Sequence, residues 1–357
     1  MVYLLIVFLG GLIVLISALF LLSPGKLQPI LDSNGSTLST SISEKVFVNI
    51  GGVKQGMFIQ GKDTCKPVLL YVHGGPSFPN YFLVDKYAPG LEDFFTVCYW
   101  EQRGGGLSYS SNVALESMTL EQLTNDLIEV TNYLRQRFGQ EKIYMLAHSG
   151  GTTIALLAIQ KEPSLYAAYL AMAQITNQAE SEKRAYEYML RIFKENGDKK
   201  SVSELNQFNN LEQQSDVMAF HNSVFRDKAM HQLGIGTMHS MKSIFMDVFV
   251  PVWTCKAYTL REKVNIWKSK FFFLPKTKLR EEILSIDFSE RIPELDIPVF
   301  FFCGKYDLTV NINLTKEYFS KLNAPHKKFY TFEHSAHSPL FEEPSLFRDI
   351  ICSDILN

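Results

Sequence analysis

The chain has 357 residues, of which 46% are hydrophobic, and a formal net charge of −2. This length is sufficient for one large domain with an insertion, whereas the near-neutral charge gives no electrostatic basis for binding nucleic acid. The five cysteines lie far apart, and the eight histidines contain no H-E-x-x-H motif. We therefore expect neither a metal ion nor another cofactor.

An apolar run without charged residues occupies residues 3–22. At about 1.5 Å per residue, a helix of roughly 20 residues crosses a bilayer core of about 30 Å. A cleaved signal peptide is the alternative, but no basic residue precedes the run and no clear small-residue cleavage site follows it. We expect residues 1–25 to be a single-pass transmembrane anchor, followed by a flexible Ser/Thr-rich tether over residues 26–45.

Strands and helices alternate after the tether. Residues 46–50 and 56–60 flank a Gly-Gly turn and predict an antiparallel hairpin. Apolar strands and helical segments then alternate over residues 46–176 and again over residues 285–357. Such alternation predicts a mostly parallel sheet with helices on both faces, and functional loops at the carboxyl ends of its strands.

A glycine-rich loop, His73-Gly-Gly-Pro76, follows the strand predicted over residues 68–72. Such a loop can aim a backbone N–H at a developing oxyanion, and the residue after a nucleophile can supply a second N–H. We expect Gly75 and Gly150 to be these two donors. A turn without a ligand is the alternative, because His-Gly-Gly alone is a weak motif.

The strand predicted over residues 143–146 leads into Ala147-His-Ser149-Gly-Gly151 and then into a helix. A serine in such a sharp turn presents its hydroxyl at the edge of the sheet, and it needs small neighbours because strand and helix pass close together. The motif is A-x-S-x-G in place of the usual G-x-S-x-G. We expect Ser149 to be a nucleophile; an ordinary glycine-rich turn is the alternative.

The alternation stops over residues 177–284, which are largely helical. This insertion lies between the strand that leads to Ser149 and the strand that precedes Asp307, and it predicts a helical lid. Its first helix carries three carboxylates, Glu180, Glu182 and Glu187, which are candidates for contacting a substrate. A solvated helix surface, with these carboxylates paired to basic neighbours, is the alternative.

Two later strand ends supply an acid and a base. One apolar strand is followed by Asp307, and the next is followed by a loop that contains His334 and His337. The chain order Ser, Asp, His is that of α/β-hydrolase triads and differs from the two common serine-protease orders. We favour His337 over His334, because it follows a small residue and precedes an acidic stretch ending in Pro, as in the histidine loops of hydrolases.

Three segments resemble the signatures of a known family. Residues 73–76, 101–108 and 147–151 resemble the H-G-G-P-G, D-Q-R-G-x-G-x-S and G-x-S-x-G motifs of proline iminopeptidases. These are serine aminopeptidases with the α/β-hydrolase fold. The resemblance covers residues 45–176 and 285–357, and it implies that fold together with a Ser-His-Asp triad.

The resemblance also has departures. Ser77 replaces the last glycine of H-G-G-P-G, Glu101 replaces the aspartate, and Gly150 stands where the family usually has a tryptophan that walls the substrate pocket. By analogy, Arg103 is expected to be a buried structural cation beneath the site, for which the sequence identifies no partner. The fold and the triad are thus implied, but a strict specificity for N-terminal proline is not.

The expected protein is a membrane-anchored serine hydrolase. Ser149 attacks a carbonyl, His337 transfers the proton, and Asp307 orients the imidazole. The resemblance implies an aminopeptidase that acts on small peptides. Such an enzyme must pair the substrate ammonium with a carboxylate, for which Glu180, Glu182 and Glu187 are the candidates. An esterase or lipase-like hydrolase of small lipophilic esters remains an alternative, as does a non-catalytic binding protein on the same scaffold.

Overall fold

The computed structural model describes residues 2–356, apart from the side chains at positions 2, 4–6 and 12–16. Over these residues the strands are β1 (Ile42–Ile50), β2 (Val53–Gly61), β3 (Val68–Val72), β4 (Thr96–Trp100), β5 (Ile143–His148), β6 (Tyr166–Met172), β7 (Val299–Gly304) and β8 (Lys327–Phe332). The α-helices are α1 (Val2–Leu21), α2 (Tyr81–Tyr87), α3 (Leu120–Phe138), α4 (Gly151–Lys161), α5 (Gln178–Glu195), α6 (Lys199–Asn206), α7 (Gln214–His221), α8 (Val224–Leu233), α9 (Val250–Thr254), α10 (Leu260–Lys268), α11 (Leu279–Ser285), α12 (Phe288–Arg291), α13 (Ile312–Lys321), α14 (Pro339–Glu342) and α15 (Pro344–Ile350).

A single eight-stranded sheet, in the order β1-β2-β4-β3-β5-β6-β7-β8, forms the centre of the protein. The strands from β4 through β3 to β8 are parallel, whereas β1 and β2 form the predicted antiparallel hairpin at one edge. Gly51 and Gly52, both with positive φ, make its two-residue turn, as tight hairpins require. The mostly parallel sheet expected from the sequence is confirmed.

Both faces of the sheet are covered by helices. Successive side chains of a strand point to opposite faces, and on β3 Leu70 and Val72 belong to a core that includes buried residues of α3, α4 and α12. Leu69 and Tyr71 belong to a second core with buried residues of α2, α9 and α15. Central strands buried on both faces are typical of parallel sheets.

The chain between β6 and β7 forms helices α5 to α12, of which α5 to α11 occupy the segment where the sequence predicts a lid, residues 177–284. These helices have their own small core, in which the rings of Tyr186 and Phe220 meet edge to face at 5.5 Å between centroids. Asn177 and Asp287 pair across the base of the insertion, so its two ends lie side by side. We call this insertion the cap.

The first helix, α1, has 20 residues. Over the part of the chain that is described, no helix is both long and apolar enough to cross a membrane. The transmembrane anchor predicted over residues 1–25 is not found there; it falls in part on residue 1 and on side chains outside the described set.

The segment predicted as a flexible tether, residues 26–45, contacts the folded protein. Its last residues already belong to the sheet, because β1 begins at Ile42 and pairs with β2 along its whole length. Lys45 Nζ also pairs with Glu262 Oε2 of the cap at 2.9 Å. Hydrogen bonds to a neighbouring strand order residues whose composition alone is typical of a loop.

Candidate active site

Ser149 lies in the sharp turn between β5 and α4. Its φ is +52°, a conformation that costs a residue with a side chain about 1–3 kcal/mol. Its N–H donates to Met172 O at 3.0 Å, and Thr152 Oγ1 donates to its carbonyl oxygen at 2.6 Å. These bonds hold the strained turn, and the serine side chain remains partly exposed at the carboxyl end of a central strand.

Small residues surround this turn because three segments converge there. A Cβ atom on Gly151 would lie 2.4 Å from Val72 O and 2.5 Å from His73 O. A Cβ atom on Gly74 would lie 2.8 Å from Ser149 Cβ. Either side chain would push the turn away from the loop after β3, so the glycines allow that loop to approach the serine.

The two glycines predicted as oxyanion donors are neighbours. A Cβ atom on Gly150 would lie 3.1 Å from Gly75 N, and both residues line one cavity with Ser149. Gly75 has a φ of +107°, which favours glycine. Among the described residues, neither N–H donates to a protein acceptor. Two unpartnered donors therefore lie beside the serine, where a negatively charged oxygen could be bound.

His337 and Asp307 form a buried pair on the loops after β8 and β7. His337 Nδ1 lies 2.9 Å from Asp307 Oδ2, while Asp307 Oδ1 accepts the Val310 N–H at 2.9 Å. A proton on Nδ1 shared with the carboxylate leaves Nε2 able to accept another. His337 lines the same cavity as Ser149, whereas His334 is exposed.

His148, directly before Ser149, is a residue whose contacts the sequence analysis missed. Its Nε2 donates to the backbone carbonyl of His337 at 2.9 Å, and the two rings lie 4.9 Å apart. Burial lowers the pKa of His148 to about 3, helped by His337 nearby, so this imidazole is neutral near pH 7. Its place in the A-H-S-G-G motif was the available signal.

Glu342 ties the histidine loop to the cap. Its Oε2 accepts the Ala336 N–H at 2.8 Å, and its Oε1 accepts the His239 N–H of the cap at 2.5 Å. Burial raises the pKa of Glu342 to about 7, against the lowering effect of these backbone bonds. Glu342 is one of the two acids in the stretch that favoured His337 in the sequence, and its contacts give that stretch a structural role.

Gln102 holds the glycine-rich loop after β3 in place. Its side-chain amide donates to His73 O, and its Oε1 accepts the Ser77 N–H at 3.1 Å. The Gln102 N–H donates to His73 Nε2 at 3.1 Å, which leaves the proton on Nδ1 to donate to Gly74 O. Burial lowers the pKa of His73 to about 4. The Q-R-G motif thus positions the loop that carries Gly75.

Arg103 is the buried cation that the resemblance implied, and the structure supplies its partner. Its guanidinium donates to both oxygens of Asp126 on α3, at 2.7 and 2.9 Å, and to Gly51 O at 2.7 Å. Both side chains of the pair are almost completely buried. A bidentate geometry of this kind offsets much of the cost of burying the two charges.

Replacing Asp126 by Asn should destabilise the protein by about 3–5 kcal/mol, since it leaves a buried, unpaired guanidinium. Thermal unfolding of the purified variant measures this loss. Glu121→Gln, an exposed carboxylate on the same helix, is the matched control and should leave the midpoint within error. Equal midpoints for the two variants would show that the pair contributes little.

Glu101, which stands where the family has aspartate, bonds to the cap. Its Oε2 accepts the Leu107 N–H at 2.5 Å, and its Oε1 accepts the hydroxyl of Tyr258 from the loop between α9 and α10. Burial raises the pKa of Glu101 to about 8. The longer side chain thereby links the sheet domain to the cap, beneath the candidate site.

The cavity at Ser149 has two parts that share the serine. The part next to His337 is lined mainly by apolar side chains, among them Phe82, Leu83, Met230, Ile244 and Val248. The part next to Gly150 is more polar and is lined by Gln178, His221 and Arg280, among others. In the described part of the chain, no group of His, Cys, Asp or Glu side chains could hold a metal ion.

Two of the three acidic lid candidates point away from this cavity. Glu180 pairs with Arg184 at 3.1 Å on the surface of α5, and Glu187 is exposed. Neither lines the cavity over the described residues. Their geometry is that of the solvated helix face considered as the alternative.

Glu182 points inward, but its oxygens are already occupied. Arg226 donates to both of them, at 2.6 and 2.9 Å, and His221 Nδ1 lies 2.8 Å from Oε1. Burial by itself would raise the pKa of Glu182, but Arg226 and His221 together lower it to about 2. This carboxylate therefore neutralises Arg226 behind the cavity wall.

Two polar groups that sequence reasoning missed do reach the cavity. Asp227 lines both parts of it, and its side chain is 52% exposed although Oδ1 accepts from Arg226 at 3.0 Å. Gln178 is buried, and its amide nitrogen donates to Glu182 and to Thr309 O. Gln178 Oε1 is buried and has no partner among the described atoms, and Gln178 lines the part of the cavity next to Gly150. No motif marks either residue.

Known proteins similar to the chain include serine aminopeptidases and proline iminopeptidases. The family described as serine aminopeptidase, S33, matches residues 88–248. The chain is 33% identical over 305 residues to the probable aminopeptidase YbaC of Bacillus subtilis, covering 85% of this chain and 93% of that protein. It is 24% identical over 311 residues to a proline iminopeptidase of Heyndrickxia coagulans, covering 82% and 90%. The solved proline iminopeptidase of Mycobacterium smegmatis matches in fold with a TM-score of 0.61 at 13% identity, covering 86% and 96%.

Proposed function

Since the chain belongs to the S33 family of serine aminopeptidases and is a serine hydrolase with the α/β-hydrolase fold, we propose that it removes N-terminal residues from small peptides. The observation that carries this proposal is the buried His337–Asp307 pair, which shares a cavity with the strained turn at Ser149. No cofactor is needed for this chemistry.

The proposed reaction is acyl transfer through a serine ester. Ser149 Oγ attacks the peptide carbonyl while His337 Nε2 takes its proton and then returns it to the leaving amine. Asp307 holds the imidazole and stabilises its protonated form. The N–H groups of Gly75 and Gly150 bind the oxyanion, and loss of one such donor typically costs about 10²–10³ in rate. Water then attacks the serine ester while His337 Nε2 takes its proton and returns it to Ser149 Oγ, so that the N-terminal residue is released and the serine is regenerated.

We assign recognition of the substrate ammonium to Asp227 and Gln178. An aminopeptidase must pair that charge on the acyl side of the scissile bond, since a buried unpaired ammonium is costly. Asp227 is half-exposed in the cavity wall and its Oδ2 accepts from no described donor, while Gln178, which lines the same wall, has a buried Oε1 without a described partner. Glu180, Glu182 and Glu187, the candidates from the sequence, either face solvent or are already paired.

Asp227→Asn should lower kcat/KM for aminoacyl arylamides by roughly tenfold or more, because a hydrogen bond to a charged group contributes about 1.5–3 kcal/mol. The corresponding N-acetylated arylamides should be much less affected. Glu187→Gln is the matched control, and its ratio of free to acetylated turnover should equal that of the unaltered enzyme. A ratio unchanged by Asp227→Asn would place the amine site elsewhere.

The test of the overall proposal is a panel of aminoacyl arylamides and short-chain aryl esters with the purified enzyme. Turnover of arylamides with a free amine supports the aminopeptidase. An esterase of small lipophilic esters is the second candidate, favoured by the apolar part of the cavity next to His337. If the enzyme hydrolyses the esters and none of the arylamides, it is an esterase and the aminopeptidase proposal is rejected.

We also propose that the protein is located at a membrane, on the basis of the uncharged apolar run over residues 3–22. Full-length protein should then stay with membranes in a carbonate wash, and a chain that begins at Leu21 should be released and active. This shorter chain keeps Leu22, whose carbonyl accepts from Lys263 Nζ at 2.7 Å. Release of the full-length protein by carbonate would contradict the proposal.

A further inference from the structure

The cavity at Ser149 contains more cations than its own carboxylates neutralise. Arg226, Lys270 and Arg280 line it, and Asp227 is the carboxylate among its described lining residues. Arg226 is matched by Glu182 behind it and by Asp227 beside it. Lys270 and Arg280 form no direct ion pair with any described residue, and the three cations exceed the two carboxylates, Glu182 and Asp227, by one positive charge.

These two cations are held in place without a direct ion pair, and Asp227 acts on both of them only through its nearby charge. Lys270 Nζ lies 4.4 Å from the centre of the Phe78 ring, a cation–π contact, and Arg280 donates to the side chain of Asn222. Burial lowers the pKa of both Lys270 and Arg280, and the nearby Asp227 carboxylate offsets only part of that lowering, as expected where the loss of water outweighs the effect of the surrounding anions. An anionic ligand would offset that cost.

The position of Arg280 decides which part of the substrate carries the anion. The leaving group must lie next to His337, because that residue protonates it. Arg280 lines the other part of the cavity, which includes Gly150 but not His337, and Lys270 borders both parts. The pair therefore faces the acyl group of the substrate.

We propose that Lys270 and Arg280 bind a carboxylate carried by the acyl group, so that the enzyme prefers an acidic N-terminal residue, glutamate or aspartate. The preference for a peptide rests on the proposed function. Asp227 and Gln178 then receive the ammonium of this residue while the two cations receive its side chain. The same subsite would accept the acyl group of a dicarboxylic half-ester, which has the carboxylate without the ammonium.

The test compares substrates that differ only in this charge. In the peptide arm, kcat/KM for glutamyl p-nitroanilide should exceed that for glutaminyl p-nitroanilide by tenfold or more. In the ester arm, the p-nitrophenyl half-ester of glutarate should exceed p-nitrophenyl butyrate by a similar factor. Lys270→Met and Arg280→Met should each remove most of both preferences, and Lys270→Arg should retain them.

Lys268→Met is the matched control, since Lys268 is exposed and lines neither part of the cavity; both preferences should persist in it. Binding without turnover is measured by calorimetry with glutarate and Ser149→Ala, and the affinity should fall at least tenfold when Lys270→Met is added. That readout separates a binding defect from misfolding.

The two proposals can fail separately. A charge preference in the ester arm alone, with no arylamide turned over, would retain the carboxylate subsite and reject the aminopeptidase. Turnover of neutral and acidic substrates at equal rates in both arms, or a preference that survives both Met variants, would overturn the subsite and assign the two cations a structural role.

Discussion

Ser149→Ala should abolish turnover, with kcat reduced by a factor of about 10⁶, as when the nucleophile of an established serine triad is removed. The reason is that the hydroxyl supplies the bond-forming oxygen, and no other described serine lies in the turn between β5 and α4. A fluorophosphonate probe should label the unaltered enzyme and fail to label the variant. Rates on the most reactive aryl ester provide the widest range for measuring the loss.

The control for this experiment is Ser164→Ala, an exposed serine after α4 that should leave labelling and turnover intact. Thermal unfolding of Ser149→Ala checks that the variant is folded. Removing the hydroxyl group leaves the strained backbone conformation unchanged, so we expect no large change in the unfolding midpoint. Full activity in Ser149→Ala would show that another group carries the chemistry.

His337→Ala should be nearly as damaging, with a loss of up to about 10⁶ in kcat, because members of a triad act as a unit. His334→Ala should have little effect, since the His334 side chain is exposed and, of the two histidines, it is His337 whose Nδ1 contacts Asp307. Steady-state rates of the two variants on one ester substrate decide between the histidines. The pair of substitutions lies on one loop, so each serves as the structural control for the other.

Asp307→Asn extends this prediction. An amide at this position still occupies the space but favours the wrong tautomer of His337, which in a comparable triad costs about 10⁴ in kcat. A large loss in His334→Ala with near-normal activity in His337→Ala would reverse the assignment. Near-normal activity in Asp307→Asn would instead show that another acceptor orients the imidazole.

Much of the fold and of the candidate site could be predicted because the signals are local. Period-two and apolar strand patterns, separated by helices, specified the parallel sheet, and the hairpin at its edge followed from Gly51-Gly52. The turn at Ser149 could be predicted because the small residues that it requires are adjacent to the serine in the sequence. His337 could be preferred over His334 from the residues around it.

The polar contacts around the site were decided by the tertiary structure. Helical spacing placed Glu180 and Glu187 on one face of α5 and Glu182 on another. The spacing could not predict which of these faces would pack against the rest of the cap. Docking turned Glu182 inward to Arg226. In the same way, the ion pair between Arg103 and Asp126 forms only because α3 packs against the loop after β4, so the sequence could not identify Asp126 as the partner.

The sequence by itself therefore determined the sheet, the strained serine turn and the order of the residues proposed as the triad, because backbone preferences and side-chain periodicity act between near neighbours. Only the tertiary structure decided that Asp227, Lys270 and Arg280, which come from separate segments of the cap, line one cavity with Ser149. Charge selection depends on which side chains share a cavity, and that depends on how the cap helices pack over the sheet.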